Sequence, residues 1–383
     1  MKKLAIISTH PIQYNAPVFQ LLSERKNIQI KVFYTWENSK NGIFDKKFGK
    51  DIKWDIPLLE GYDYQFVKNI SKDQGTHHFK GMINPDLNKE INSWKADAVL
   101  IYGWCFHSHF KAMRHFKGKI PVYFRGDSTL IDEVAGFKTI LRRIWLKFVY
   151  RFVDYALYVG TKNKEYFLKH GLAENQLIFV PHAIDNKRFD GAGVEIENLA
   201  KDWRKELKIN ENDIVLLFAG KFERKKDPII LIKAANSIKN EQFKIIFTGN
   251  GELEDEMKNL VSNNENILFL PFQNQTKMPI LYTLCDVFVL PSKGPNETWG
   301  LAVNEAMACG KPVLVSEKVG CAIDLVKNGE NGFIFKSGNV DDLIDKIKCF
   351  NHDNIVLYGI RSKEIIEEYN FTNIAKSIEG TIH

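Results

Sequence analysis

The chain has 383 residues, 44% of them hydrophobic and 26% charged, with a formal net charge of +6 at pH 7. That length exceeds one ordinary domain and suits two, and the balance is that of globular cores rather than of a disordered or fibrous chain. No apolar run approaches the roughly 18 residues of a membrane span; the modest basic excess suits an anionic ligand or a membrane surface without requiring either.

Two lysines precede the apolar residues Leu4–Ile7, but that stretch is much shorter than a secretory core and reads as a first strand. Cys105, Cys285, Cys309, Cys321 and Cys349 form an odd, scattered set without a CxxC pair. They suit reduced thiols in a cytoplasmic protein, with no disulfide frame and no zinc site.

In chain order, a strand is expected at 2–8, then an amphipathic segment at Pro17–Arg25 and a strand at 28–35. Further strands follow at 96–103, 120–126 and 154–160, then a helix near Lys162–His170 and a closing strand within 177–185. The second half repeats the alternation more clearly. IVLLFAG (214–220) leads through a basic loop to a helix at 227–238, and FKIIFTGNG (243–251) leads to the helical ELEDEMKNLVSN. ENILFLPF, a helix ending at Cys285, DVFVLPS (286–292), the helix GLAVNEAMACG (300–310) and KPVLVSE (311–317) complete it. Continuous apolar strands separated by helices predict parallel sheets covered on both faces. The predicted class is α/β: two Rossmann-like domains with parallel sheets facing an interdomain cleft. The expected division is 1–185, 186–360 and a C-terminal helix at 361–383 that returns to the first domain. Ligands of such sheets bind beyond the carboxyl ends of the strands. The residues to watch are therefore Thr9–Asn15, Arg125–Ser128, Lys221–Lys226, Gly249–Glu252, Phe272–Gln273 and Glu297–Glu305.

The segment PSKGPNETWGLAVNEAMACGKPV (291–313) holds the strongest signal. Pro295 and Gly300 bar one continuous helix, so Glu297 is expected in a loop and Glu305 in the helix after it. Loop amides and the helix N-terminus suit phosphate or sugar oxygens, and a carboxylate such as Glu305 can accept hydrogen bonds from vicinal hydroxyls. Alone, the two glutamates read as a helix cap and a surface residue; the motif around them points to the ligand reading. The basic loop Lys221–Lys226 offers fixed cations for a leaving diphosphate. No D-x-D pair or His/Asp/Glu cluster with metal-like spacing stands out, so neither a metal nor any other cofactor is expected. A solvated basic turn is the other reading of that loop, with Arg224 and Lys225 its most exposed members.

Together these segments resemble glycosyltransferase family 4, whose fold is the two-domain GT-B type. The resemblance rests on 291–313, LFAGKFERKKDPIILIKA (217–234), FTGNGELEDEM and VPHAIDNKRF (180–189). It covers most of 177–350 and extends more loosely over the first half. It implies a metal-independent hexosyltransferase that retains anomeric configuration and uses a UDP- or GDP-sugar. In that reading Glu297 contacts the donor sugar near the reacting carbon and Glu305 binds the ribose. Thr298, Trp299, Gly300, Leu301, Ala302 and Val303 line the sugar and phosphate. Lys221 and Lys226 occupy the family's cationic positions, the first more often an arginine. Gly249, Asn250, Gly251 and Phe272 approach the nucleotide, or else serve chain reversal and core. The implied acceptor is a glycan or a lipid-linked glycan in bacterial surface assembly, at the inner face of the membrane. No nucleic-acid partner is implied.

The first half departs from the family. In place of a Gly-Gly pair after the first strand stand Gln13, Tyr14 and Asn15, which line the acceptor side or form an ordinary polar turn. In place of the family histidine stands Arg125, followed by Asp127. Arginine cannot act as a general base, so Arg125 is expected as an electrostatic group, with a structural Arg125–Asp127 pair as the alternative. His107 and His109 follow another strand end and are candidates for the acceptor side. The basic, apolar stretch Lys138–Arg151 is read either as a surface for an anionic membrane or as a helix with one buried face and one basic face. Epimerase and catalytically idle nucleotide-sugar binder remain alternatives. A dinucleotide dehydrogenase is disfavoured because no G-x-G-x-x-G opens either half.

Overall fold

The computed structural model describes residues 1–36, 43–45, 50–52, 55–190, 193–238, 242–261 and 264–382. Residues 191–192, near the start of the expected second domain, and 262–263, at the end of the expected ELEDEMKNLVSN helix, lie outside them. The chain divides into two units. The first comprises Met1–Ile43, Ile56–His182 and Phe371–His383, and the second comprises Phe44–Asp55 and Ala183–Asn370.

The first unit opens with β1 (Lys3–Ser8), α1 (Ala16–Arg25) and β2 (Gln29–Tyr34). A two-stranded ribbon, β3 (Ile43–Asp45) with β4 (Lys50–Ile52), follows in the chain and from Phe44 onward belongs to the second unit; the first unit resumes with β5 (Tyr64–Phe66), α2 (Leu87–Trp94), β6 (Ala98–Tyr102) and α3 (His107–Phe116). Then come β7 (Val122–Arg125), α4 (Phe137–Tyr150), β8 (Tyr155–Tyr158), α5 (Thr161–Lys169) and β9 (Leu177–Phe179). Seven strands pair in parallel in the order β5-β2-β1-β6-β7-β8-β9. Leu4 to Ile7 of β1 are fully buried, because a central parallel strand meets helices on both faces and has no polar side to offer.

The second unit repeats the plan with α6 (Asn186–Phe189), α7 (Val194–Glu206), β10 (Ile214–Ala219), α8 (Pro228–Ser237), β11 (Phe243–Thr248), α9 (Glu254–Val261) and β12 (Ile267–Leu270). It continues through α10 (Met278–Leu284), β13 (Val287–Leu290), α11 (Leu301–Ala308), β14 (Val313–Ser316), α12 (Ala322–Leu325), β15 (Gly332–Phe335), α13 (Val340–Lys348) and α14 (His352–Ile366). Its six parallel strands run β12-β11-β10-β13-β14-β15. All six residues of β10 are buried, and its Phe218 shares the core with Phe222, Phe247 and Leu231.

The tail that was expected as one helix from 361 is two pieces. After α14 the chain turns, and α15 (Phe371–Glu379) packs in the first unit through Ile374, Ala375 and Ile378. There the Arg25 guanidinium forks onto the Glu379 carboxylate at 2.8 and 2.9 Å, and the Asn27 amide donates to the same group at 2.9 Å.

In both sheets the strand order reverses beside the first strand of the unit. That places the crevice of an open α/β sheet beyond β1 and β6 in one unit, and beyond β10 and β13 in the other.

Candidate functional site

In the second unit, the two loops at this reversal are Lys221–Lys226, after β10, and Pro291–Gly300, after β13. They are joined by backbone: the Lys293 N–H donates to the Lys225 carbonyl at 2.8 Å. Side chains add to the join, with Lys293 Nζ 2.9 Å from Asp227 Oδ1 and Lys225 Nζ donating to the Asn296 carbonyl at 3.4 Å. Asp227 itself takes a left-handed conformation (φ 50°) before Pro228, which opens α8. Arg224 is exposed.

At the centre of this join, Lys226 Nζ lies 2.6 Å from Glu297 Oε2, and the Ser292 hydroxyl donates to the same oxygen at 3.1 Å. Glu297 is only 6% exposed. Burying a charge of either sign is costly unless it is paired, so the ammonium and carboxylate hold one another in place. A diphosphate drawn to Lys226 and a sugar hydroxyl drawn to Glu297 would meet groups already set side by side.

The rest of the 291–313 segment is held from behind. The N–H groups of Gly320 and Cys321 donate to the carbonyls of Glu297 and Trp299, each at 3.0 Å. The approach is so close that a Cβ on Gly320 would stand 1.8 Å from the Thr298 carbonyl oxygen, so only glycine fits. Trp299 is buried and donates from Nε1 to Asn304 at 2.8 Å. Gly300 then leads into α11, whose first turn contains Leu301, Ala302 and Val303. Glu305 lies in the same helix, 4% exposed, and accepts a 2.9 Å hydrogen bond from the Tyr282 hydroxyl.

The other donor-side candidates stand at neighbouring strand ends. Lys221, partly buried, follows β10. Gly249, Asn250 and Gly251 follow β11, where the Phe222 N–H donates to the Asn250 carbonyl at 2.9 Å. A Cβ on Gly249 would lie 2.0 Å from the Gly220 carbonyl oxygen, so the unit's own chain crossing already requires this glycine. Phe272 is half-buried beyond β12.

The first-unit candidates behave differently. Arg125, expected as an electrostatic group for a ligand, is 6% exposed, and its two terminal nitrogens donate to the carbonyls of Val180 (2.8 Å) and Pro181 (3.0 Å). This corrects the expectation. The guanidinium clamps the chain segment after β9, because two buried carbonyl oxygens there need donors. Burial lowers the Arg125 pKa, and Tyr102 and Asp127 oppose that shift.

His109 is likewise corrected from the acceptor side to the interior. It is fully buried, with Nδ1 against the Tyr102 and Gly103 carbonyls at 3.0 Å and Nε2 2.9 Å from the Thr35 hydroxyl. Carbonyls only accept, so Nδ1 carries the proton and Nε2 accepts from Thr35. Burial pushes its pKa down to about 4. His107 opens α3 half-buried, its pKa lowered by burial and by Lys111 and Lys80. Gln13, Tyr14 and Asn15 lie partly buried between β1 and α1.

One residue the sequence reading passed over is His182. Its Nε2 lies 3.9 Å from Asp127 Oδ2, and burial together with Arg125 lowers its pKa to about 4, against the pull of Asp127. It is a neutral imidazole beside a half-exposed carboxylate. The signal available in the sequence was a histidine directly after the strand of VPHAID. The structure also brings together Asp73, His77 and His78, whose ligand atoms lie within 4.8 Å of one another on the surface of the first unit. The reading that found no cluster with metal-like spacing overlooked them because the intervening loop, not a helix period, gathers them.

Residues 200–370 match the family model described as glycosyl transferases group 1. The second unit belongs to the group 1 glycosyltransferases. This domain carries the Lys226–Glu297 pair and Glu305. A Campylobacter jejuni N,N'-diacetylbacillosaminyl-diphospho-undecaprenol alpha-1,3-N-acetylgalactosaminyltransferase is 29% identical over 233 residues, 59% of each chain. An uncharacterized glycosyltransferase of Methanocaldococcus jannaschii is 28% identical over 341 residues, 84% of this chain and 87% of its own. For several curated relatives the chain spans only about half their length, as with the 46% covered in the sulfoquinovosyl transferase of Arabidopsis thaliana. Among solved structures, Anabaena HepE in complex with UDP and glucose superposes with a TM-score of 0.70 at 17% identity, covering 100% of this chain and 99% of that one. WaaG, a glycosyltransferase involved in lipopolysaccharide biosynthesis, gives 0.68 at 14% identity, covering 99% of each. The two parallel-sheet units thus have the GT-B fold.

Proposed function

We propose that this chain transfers a hexose from a UDP- or GDP-sugar to an acceptor hydroxyl, without a metal and with retention of anomeric configuration. The observation that carries the reading is the close pair of partly buried Lys226 with buried Glu297, supported by Ser292, at the strand-order reversal of a group 1 glycosyltransferase domain.

Breaking a sugar–phosphate bond leaves charge on the nucleoside diphosphate. A fixed, poorly solvated ammonium stabilises that charge far more than water does. Lys226 is the cation for this role, with Lys221 beside the same strand end. Glu297 accepts hydrogen bonds from the hexose hydroxyls and so fixes the anomeric carbon relative to the phosphate. Glu305 accepts from ribose hydroxyls, with Tyr282 orienting its carboxylate.

HepE was solved with UDP and glucose, and the Campylobacter relative is named for a diphospho-undecaprenol acceptor. By analogy the acceptor proposed here is a lipid-linked glycan in the cytoplasm. The test is release of nucleoside diphosphate from UDP- and GDP-hexoses on adding lipid-linked acceptor, with and without EDTA. Proton NMR of the product reads the anomeric configuration. Release that survives EDTA and gives the donor's own configuration supports the proposal. Donor binding without release under any acceptor would make the chain an idle nucleotide-sugar binder, and a strict need for divalent ion would overturn the role of Lys226.

A further inference from the structure

Helix α4 has two apolar faces, and only one of them is used. Leu146, Val149 and Tyr150 turn inward to the core of the first unit. On the opposite side Phe137, Ile140, Leu141, Ile144, Trp145 and Phe148 are all exposed, between 38% and 73%. Their spacing is three and four residues throughout, so at 3.6 residues per turn they form one stripe. A helix packed on a soluble domain normally shows polar residues there, and a contiguous outward apolar stripe marks a surface made for a partner.

The charges identify the partner. Lys138 and Lys147 are exposed and flank the stripe on its two sides, exposed Arg151 closes its end over Phe148, and the segment 137–151 contains no acidic residue; Arg142 falls in line with Leu146 and Val149 instead. Arg143, on the inward side, is already paired with Glu133. Aromatic rings widen the stripe: Phe110 lies 5.9 Å from Trp145 and from Phe152, with the Arg151 guanidinium 5.6 Å from the Phe148 and Phe152 rings. An apolar stripe that carries tryptophan and is bordered by cations on both sides fits the boundary between acyl chains and anionic headgroups. The exposed α14 residues Val356, Leu357 and Ile360 make a shorter patch flanked by both signs of charge, including Asp353 and Glu364, and lack this match.

We propose that the outward face of α4 docks the protein on an anionic phospholipid bilayer, lying in the interface plane. No helix among the described residues is long and apolar enough to cross a membrane, so the contact is peripheral. The apolar stripe enters the acyl boundary while Lys138, Lys147 and Arg151 reach the headgroups with their charged tips. The surface does not depend on the donor site, so it stands or falls separately from the proposed activity.

The experiment is co-sedimentation of the full chain with sucrose-loaded vesicles, of phosphatidylcholine alone or of an equal mixture with phosphatidylglycerol. Two variant pairs are compared, Ile144→Ser with Phe148→Ser, and Lys138→Glu with Lys147→Glu. All four positions are exposed, and an unchanged Tm verifies folding of each pair. The expected result is binding to the mixed vesicles that weakens with added salt, is much poorer on phosphatidylcholine, and falls about tenfold or more in each pair. Absence of binding to mixed vesicles overturns the proposal, as does binding that neither pair alters. So does self-association in light scattering that Ile144→Ser with Phe148→Ser abolishes while vesicles bind nothing, since the face would then join two copies of the chain.

Discussion

The strand ends of the two units were filled with polar residues of similar kinds, and the fold uses them in opposite ways. After β10 and β13, Lys226 and Glu297 hold each other at the sheet's reversal point, with Ser292 on the same carboxylate oxygen. After β6 and at the end of β7, His109 and Arg125 turn into the interior and satisfy backbone carbonyls. A charged residue at a strand's carboxyl end is thus a candidate for ligand chemistry only once the backbone around it has its own donors and acceptors. In the second unit the loops satisfy one another through amides such as Lys293 to Lys225 and Gly320 to Glu297, which leaves side chains for a ligand.

The contrast is sharpest in substitutions. Glu297→Ala strands a poorly solvated Lys226, an error that typically costs about 3–5 kcal/mol. It should also lower turnover by about 10²–10³, the scale of a lost preorganised group. Denaturant unfolding without ligand and steady-state kinetics read the two effects separately; a stable but inactive variant would mean that the pair is looser than its 2.6 Å separation indicates.

Acidification probes the first unit. His109 has a folded pKa of about 4, against its ordinary 6.5. Between these values the unfolded chain binds the proton and the folded one does not, so stability falls as pH drops from 6.5 toward 4. The shift corresponds to a loss of up to about 3 kcal/mol. Unfolding curves across that window should be flatter for His109→Gln than for the native chain; equal slopes would remove His109 from the account.

Arg125→Met leaves two buried carbonyls short of donors and should cost about 2 kcal/mol of stability, with donor affinity unchanged in calorimetric titration. Weakened donor binding without loss of stability would return Arg125 to a ligand role and break the comparison. The smallest effect belongs to Tyr282→Phe. Losing one hydrogen bond to a buried carboxylate should cost about 1.5 kcal/mol, and in the proposed reading it raises KM for the donor more than it lowers kcat.

Much of the fold was legible because parallel strands buried on both faces read as unbroken apolar runs; KLAIIS and IVLLFAG became the central strands β1 and β10. The short strand β5 and the edge strand β15 lack such runs. The Glu297 loop was legible through proline and glycine punctuation, which separated loop from helix. Arg125 was not, because its partners lie 55 and 56 positions away and no local pattern reports a clamp of that span. For helix α4 the sequence left two readings open, a membrane surface and a helix with one buried and one basic face. The helix with one buried and one basic face is replaced by one with two apolar faces, and periodicity alone does not say which of two stripes meets the core.

The most direct measurement is calorimetric titration of UDP- and GDP-hexoses into the native chain and Lys226→Gln, both in EDTA. The native chain should bind one donor without metal, and the variant should bind it at least about tenfold more weakly, the least that a charged hydrogen bond of about 1.5 kcal/mol contributes. Equal affinities, or binding that appears only when a divalent ion is restored, would contradict it.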